Sequence, residues 1–419
     1  MEKKTLALVS LGCAKNAVDL QNRASHLLAK GWSLSPDPDR ADVVIVNTCS
    51  FIASAREEAE AEIIRALELK ARGQYGQVVV TGCYPQRYPE AKAAFPGVDS
   101  WEGVPQGWLE PNPKARLRLS GKAFGYLKIA EGCAHRCAYC AIPLIRGAYR
   151  SRPQKAILAE ARALLATGCR ELNIIAQDPM LYGIDFPTHK PCLVKLLKAL
   201  DRLPGDFWIR VLYSYPHEIT DDYIDWLKTS PHAVRYVDVP LQHTVPEVLR
   251  KMNRGAAVAA SATIADRLRR EIPGIALRTT IMTGFPSETE ARFNQMRADL
   301  KKLNFDRLGA FAFSPEEGTA AAKMAGRPSR ARAEAREKLI MADAKRRWKA
   351  RAKTMLGEVY PALVVSPGVA RMESQAPDVD GVVWLVASEA NPEFSPEVGS
   401  FVNVRLVGVD GFDFEGECV

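Results

Sequence analysis

The chain has 419 residues, 47% apolar, 25% charged and 8% aromatic, enough for two or three globular domains and unlike disordered, collagenous or coiled-coil chains. No run approaches the roughly 18 consecutive apolar residues that a transmembrane helix requires. Nine cysteines are an odd number without secretory context, which argues for metal ligation or catalytic thiols over a disulfide framework, and the net charge of +8 suggests an acidic partner only until it is divided along the chain.

The start, M-E-K-K-T-L-A-L-V-S-L-G-C, sets two lysines before an apolar run and a Cys. Thr5 to Gly12 is too short for a signal and lacks a small-residue cleavage pattern, so a mature cytoplasmic N-terminus is expected. Three β-rich runs then end in Cys13, Cys49 and Cys83, with helical apolar spacing over Val18 to Lys30 and Ala53 to Lys70 between them. Val/Ile/Leu runs joined by helices predict a parallel α/β sheet, whose strands end on one edge where ligands bind. Three thiols on that edge suggest a three-thiolate site; buried thiols at strand ends are the plainer alternative.

A Pro-, Gly- and Trp-rich stretch from Pro96 to Lys114 reads as a linker. Six strands are predicted after it: Tyr126 to Ala130, Glu171 to Ala176, Trp208 to Tyr213, Tyr236 to Val239, Ala276 to Ile281 and Leu308 to Phe313. They alternate with helical stretches such as Gln154 to Thr167, Pro191 to Leu203 and Val258 to Glu271. This pattern predicts a barrel or part of one, with its chemistry at the carboxyl ends of the strands. Arg327 to Lys353 is a basic amphipathic helix with one side expected on the barrel. From Ala352, the runs E-V-Y-P-A-L-V-V, G-V-V-W-L-V-A and F-V-N-V-R-L-V-G-V predict a small β-barrel. Residues 352–419 hold three basic residues (Lys353, Arg371, Arg405) and eleven acidic ones, net −8, which leaves +16 on the remainder. An acidic barrel suits a basic protein better than a phosphate backbone.

The sharpest local signal is E-G-C-A-H-R-C-A-Y-C, holding Cys133, Cys137 and Cys140. At this cysteine content the spacing arises by chance on the order of 0.4% of the time. Three thiolates on one loop can hold three irons of a four-iron cluster and leave the fourth open for chemistry. The alternative is a zinc site completed by His135, which lies inside the tight loop and not at zinc-finger spacing. Cys169, Cys192 and Cys418 have no partners at ligand spacing. No Walker motif or dinucleotide fingerprint occurs, so ATP and NAD are not implied.

C-A-H-R-C-A-Y-C resembles the cysteine loop of radical S-adenosylmethionine (SAM) enzymes, with Tyr139 before the last Cys. Together with the upstream trio and the β-rich tail, the whole chain resembles the radical SAM methylthiotransferases. That resemblance implies an α/β chain of three domains: an N-terminal parallel α/β iron–sulfur domain over 3–114, a radical SAM partial barrel of six βα units over 119–350, and a small C-terminal β-barrel (TRAM) over 352–419. The motifs S-L-G-C-A-K-N at 10–16, V-N-T-C-S-F-I at 46–52, Y-L-K-I-A-E-G-C at 126–133, I-I-A-Q-D at 174–178, V-P-L-Q-H at 239–243, S-P-E-E-G-T at 314–319 and R-M-E-S-Q-A-P at 371–377 favour one branch. It modifies an aspartate of small-subunit ribosomal protein S-twelve. The alternative branch, acting on a tRNA adenosine, more typically shows G-C-Q-M-N at the first Cys and a basic tail. Ala14 stands where the favoured branch usually has Pro, and Leu20-Gln21 where it has Ser-Glu; both changes leave the six cysteines intact.

By resemblance, Cys133, Cys137 and Cys140 would hold a 4Fe-4S cluster that binds and cleaves SAM. Cys13, Cys49 and Cys83 would hold a second 4Fe-4S cluster that carries the sulfur, which a second SAM methylates. A radical is required because the β-carbon of aspartate has no proton that a side-chain base removes at useful rates. Tyr139, Gln177, Arg210, Gln242 and Gly284 are the expected cofactor contacts, with Asp178 and Arg278 as further candidates at strand ends. Gly284 is expected to let the backbone approach the cofactor, and no protein acid or base is assigned. The implied partners are S-twelve docked on the acidic TRAM domain, an electron-transfer protein such as flavodoxin or ferredoxin, and a sulfur donor, with no membrane. A cytoplasmic monomer is expected. A non-enzymatic iron–sulfur carrier is the remaining alternative, separable by its lack of SAM cleavage.

Overall fold

The computed structural model describes residues 3–105, 107–108, 110–112, 117–386 and 396–419. The N-terminal region carries strands β1 (Thr5–Ser10), β2 (Ser33–Leu34), β3 (Ala41–Thr48), β4 (Tyr75–Gly82) and β5 (Ser100–Glu102), with helices α1 (Ala14–Ala29), α2 (Ala53–Ala71) and α3 (Cys83–Arg87). The strands form one parallel sheet in the order β2-β1-β3-β4-β5. Six successive positions of β3, Val43 to Thr48, are buried, because Ile63, Ala66 and Val44 pack on one face of the sheet and Leu20, Ala24 and Ile45 on the other. The expected linker is partly strand. Trp101 lies in β5 and packs edge-on against Tyr84 at 5.5 Å and in a stack with Phe95 at 6.0 Å. A three-residue edge strand is too short to show alternation; its pairing with β4, the Arg23–Glu102 ion pair and these aromatic contacts hold it. Lys114, at the end of that linker, lies outside the described residues.

Next come β6 (Phe124–Lys128), β7 (Ala130–Glu131), α4 (Ile142–Arg146), β8 (Arg150–Ser151), α5 (Gln154–Ala166), β9 (Glu171–Ile175), α6 (Leu193–Leu200), β10 (Trp208–Val211), α7 (Asp221–Thr229), β11 (Tyr236–Asp238), α8 (Pro246–Lys251), α9 (Val258–Glu271), β12 (Ala276–Thr283), α10 (Glu290–Leu303), β13 (Arg307–Ala312) and α11 (Arg330–Met355). The six expected strands are β6, β9, β10, β11, β12 and β13. They run parallel as two three-stranded sheets, β10-β9-β6 and β11-β12-β13, joined at Ile209 and Ala233 by a single bridge. The result is an open barrel whose strands contribute Leu127, Ile174, Val237 and Ile281 to one apolar core with helix residues such as Ile157, Leu196, Ile264 and Phe293. The basic helix α11 buries Ala333, Arg336, Ile340, Ala344, Trp348 and Ala352 at spacings of three or four and leaves most of its cations on the opposite face.

The tail forms β14 (Val359–Ser366), β15 (Val369–Met372), β16 (Val383–Val386), β17 (Phe401–Asp410) and β18 (Asp413–Cys418), closed in the order β14-β15-β16-β18-β17. Closure pairs every strand on both edges. Trp348 of α11 plugs this barrel, stacking near Phe412 and meeting Phe414 edge-on, with its indole N–H donated to the Gly411 carbonyl at 2.9 Å. Ala387, the last residue of the expected G-V-V-W-L-V-A run, lies outside the described residues. The three regions meet in a shared apolar cluster that includes Val18, Ile175, Trp208, Tyr236, Leu363 and Ala376.

Among the described residues, no helix is long and apolar enough to cross a membrane.

Candidate active site

Cys13 follows β1 at the N-cap of α1, Cys49 follows β3, and Cys83 opens α3 directly after β4. The parallel order of those strands brings the three thiols to one sheet edge. Gly12 makes the approach possible: it sits at φ +85°, and a Cβ there would lie 2.7 Å from Cys49 Cβ. Asn16 staples the strand ends, its Nδ2 donating to the carbonyls of Leu11 (2.8 Å) and Thr48 (3.1 Å). Cys13 is exposed while Cys49 and Cys83 are buried. Burial pushes the Cys83 thiol up to about 12, with Cys49 and Cys13 adding to the effect and Arg146 opposing it.

The second trio sits on the loop after β7. Gly132, at φ +73°, is pressed so closely on the next turn of chain that a Cβ would lie 2.1 Å from the Ala148 carbonyl oxygen. The loop is pinned by Ala138 N–H to Met252 O, Ala321 N–H to Ala138 O and Asn253 Nδ2 to Arg136 O, at 2.7–2.9 Å. Burial pushes Cys133 and Cys140 up to about 12 each. Cys137 Sγ lies 3.8 Å from Arg254 Nη1 and 3.9 Å from the Tyr215 hydroxyl, and the Arg254 guanidinium rests 3.9 Å over the Tyr215 ring. Arg254 thus places a cation beside a thiol that becomes anionic on metal binding.

His135 does not complete a zinc site. Its Nε2 lies 2.6 Å from Asp178 Oδ2 and 3.4 Å from Glu218 Oε1, and its ring stacks on Tyr215 at 4.1 Å. Burial opposes the charged ring, but the bonds to Asp178 and Glu218 win and lift it to about 10. Among the described residues, His135, Asp178 and Glu218 are the only three metal-ligating side chains whose ligand atoms all lie within 4.8 Å of one another. Neither cysteine trio converges that tightly. With His135 held by Asp178 and Glu218, each trio offers three thiols, the donor set that leaves one iron of a four-iron cluster open.

Between the trios lies a buried charge network. Arg146 donates through Nη1 to Asp19 Oδ2 (2.8 Å) and Glu131 Oε2 (2.9 Å), and through Nη2 to Asn16 Oδ1 (3.2 Å) and Cys83 Sγ (3.5 Å). Lys128 pairs with the same two carboxylates. Burial works against the Glu131 carboxylate, but Lys128 and Arg146 hold it at about 2. One side chain therefore touches Cys83 in the first domain and Glu131, two positions before Cys133, in the second.

The other expected contacts are dispersed. Gln177 donates to Glu131 Oε1 at 3.2 Å, and Gln242 sits at φ +70° and bridges Ile281 near the carboxyl end of β12. The Oε1 of each is buried without a partner among the described residues. Tyr139 packs edge-on to Phe285 at 6.5 Å, under the loop it belongs to. Arg210 is drawn elsewhere: it donates to Glu171 Oε1 (2.7 Å) and to the Glu373 carbonyl (2.7 Å) in the C-terminal region, and among the described residues its Nη2 has no partner. Gly284, at φ +77°, is close-packed on Ala333 of α11, where a Cβ would come within 2.3 Å of the Ala333 Cβ. The close approach that this glycine permits is to a helix. Asp178 caps the turn at Pro179 and holds His135, and Arg278 pairs with Asp380 at 3.2 Å. Arg146, Arg254, Asn16 and the His135 group were not anticipated; their partners lie up to 130 positions away in sequence, beyond the reach of any local motif.

Three family models match the chain: the uncharacterised protein family UPF0004 over residues 5–103, the radical SAM superfamily over 127–300 and the TRAM domain over 357–419. The ribosomal protein uS12 methylthiotransferase RimO of Geobacter sulfurreducens is 38% identical, with 100% of this chain and 99% of that protein aligned. The enzymes of the same name from Desulfitobacterium hafniense and Pelotomaculum thermopropionicum are 37% and 38% identical, each over 99% of both chains. The chain belongs to the RimO family. RimO is a radical SAM methylthiotransferase, and its cofactors are SAM and 4Fe-4S clusters. Among solved structures, the radical SAM methyltransferase TsrM of Kitasatospora setae shares the fold at a TM-score of 0.54 and 17% identity, over 94% of this chain and 85% of that one.

Proposed function

We propose that this chain attaches a methylthio group to the β-carbon of an aspartyl residue in ribosomal protein uS12. The observation that supports the reading is a buried guanidinium, Arg146, that meets Cys83 Sγ at 3.5 Å and Glu131, two positions before Cys133, at 2.9 Å. Cys133, Cys137 and Cys140 would hold the cluster that cleaves SAM, and Cys13, Cys49 and Cys83 the cluster that supplies sulfur. Bound there, the clusters and SAM provide the one-electron chemistry and the sulfur atom. The protein's own residues do the rest. Arg254 and Arg146 offset thiolate charge at Cys137 and Cys83, and the unpartnered carbonyl oxygens of Gln177 and Gln242 offer acceptors for SAM, with Tyr139 beneath the loop.

The acidic C-terminal barrel, net −8 over 352–419, supports docking of a basic protein such as uS12. Electrons would come from a flavodoxin- or ferredoxin-like protein and sulfur from a separate donor, in the cytoplasm. The test is an anaerobic assay of the reconstituted chain with reductant, SAM and sulfide, offering a uS12 aspartyl-loop peptide and bulk tRNA in separate tubes. A methylthio increment on the peptide alone, read by mass spectrometry, is expected. An increment on tRNA alone would overturn the uS12 reading.

A further inference from the structure

Lys15, the second residue of α1 and two positions from Cys13, is 8% exposed. Its Nζ lies 3.4 Å from the centre of the Tyr213 ring and makes no hydrogen bond or ion pair among the described residues. Besides the Cys13 thiol, the anionic groups that act on it are Asp238 and Glu131, and neither makes a hydrogen bond or ion pair to it among the described residues. Glu131 takes Lys128, Arg146 and Gln177, and Asp238 accepts the Tyr213 N–H at 3.2 Å and lies 4.0 Å from Arg278. Among the described residues no side chain caps the first turn of α1, so its partial positive charge adds to that of the ammonium. Tyr213 sits at φ +72° two positions past β10, beside the apolar cluster where all three regions meet. A buried ammonium without an anion is costly, and a carboxylate arriving over Tyr213 relieves that cost.

We propose that Lys15 binds the carboxylate of the substrate aspartate and so presents its β-carbon between the two cysteine trios. This inference rests on the uS12 reading given above. The position agrees with the chemistry: the helix that carries the carboxylate-binding ammonium begins at the thiol proposed to hold the sulfur-bearing cluster.

The test is equilibrium binding of a labelled uS12 aspartyl-loop peptide, and of the same peptide with Asn at the target position, to the anaerobically reconstituted full chain. Wild type is expected to prefer the Asp peptide by about tenfold or more. Lys15→Met is expected to bring the ratio near one, and Lys15→Arg to keep part of it. A ratio unchanged in Lys15→Met overturns the proposal. So do equal affinities for the two peptides in wild type, a comparison that stands even if Lys15→Met loses iron or fold. Equal peptide affinities with weakened SAM binding in the variant would assign the ammonium to the methionine carboxylate of the cofactor, which also overturns it. If wild type neither binds nor methylthiolates the Asp peptide, the uS12 reading itself has failed; if it modifies that peptide while Lys15→Met still discriminates, only the role of Lys15 has.

Discussion

Replacing Arg371 by Met should loosen the C-terminal barrel from the radical SAM core. Arg371, in the R-M-E-S-Q-A-P stretch, is 2% exposed and pairs through Nη2 with Glu171 Oε2 of β9, while its Nη1 donates to the Gln375 carbonyl at 2.9 Å. Glu171 is fully buried and also takes Arg210. Burial opposes its ionisation, but Arg371 and Arg210 win and hold it below the usual carboxylate range. Removing one partner of a buried pair costs about 3–5 kcal/mol, and at roughly 2–4 °C per kcal/mol for a domain of this size the midpoint should fall by about 6 to 20 °C at pH 7. A depressed carboxylate contributes stability above its unfolded pKa and loses it as pH falls through the lower folded value. Wild type has more to lose on acidification, so the gap should narrow once the pH drops below about 4. Thermal denaturation of the apo chain from pH 7 to pH 3, with limited proteolysis to detect barrel release, measures both effects. A loss under 2 °C, or a gap that does not change with pH, would refute the account of this ion pair.

Alanine at Cys13, Cys49 or Cys83 should abolish methylthiolation while 5′-deoxyadenosine release from SAM persists, and alanine at Cys133, Cys137 or Cys140 should abolish both; product analysis of the six variants checks the split. Gly132→Ala should remove about half of the iron bound after reconstitution, because its Cβ would meet the Ala148 carbonyl at 2.1 Å in a backbone conformation that disfavours side chains. Iron analysis with far-UV circular dichroism separates this from global unfolding. The raised thiols of Cys83, Cys133 and Cys140 must release protons to bind metal. Cluster retention should therefore fall as pH is lowered from 8 to 6, followed by loss of visible absorbance.

Both cysteine groups stood out in the amino-acid sequence because each is local: one fills a single loop, and the other recurs at the end of three successive β runs. The six barrel strands were readable for the same reason, as each is a short Val/Ile/Leu/Tyr run between helical stretches. What escaped was long-range. Arg254 reaches Cys137 across 117 positions, and Arg146 reaches Cys83 across 63; no periodicity encodes such a pairing. Arg210 was expected at the cofactor because it lies on a barrel strand, yet strand position does not reveal which neighbour claims a buried guanidinium, and Glu171 claims this one. Gly284 illustrates the same limit: a glycine announces close approach, and only the packing of Ala333 shows what approaches.

Glu316, in the loop after β13, accepts the Ala53 N–H through Oε1 at 2.9 Å and pairs through Oε2 with Arg87 at 2.9 Å, both partners in the first domain. Arg87 and Glu316 are separated by 229 positions, which at a ribosomal pace of about 5–20 residues per second is roughly 10 to 45 seconds of synthesis. During that interval the first three thiols have left the ribosome while the residue that clasps their domain to the barrel has yet to be made. Nascent chains therefore pass through a stage in which Cys13, Cys49 and Cys83, proposed above to hold a cluster, lack the contact that ties their domain to the barrel, and continued translation supplies it.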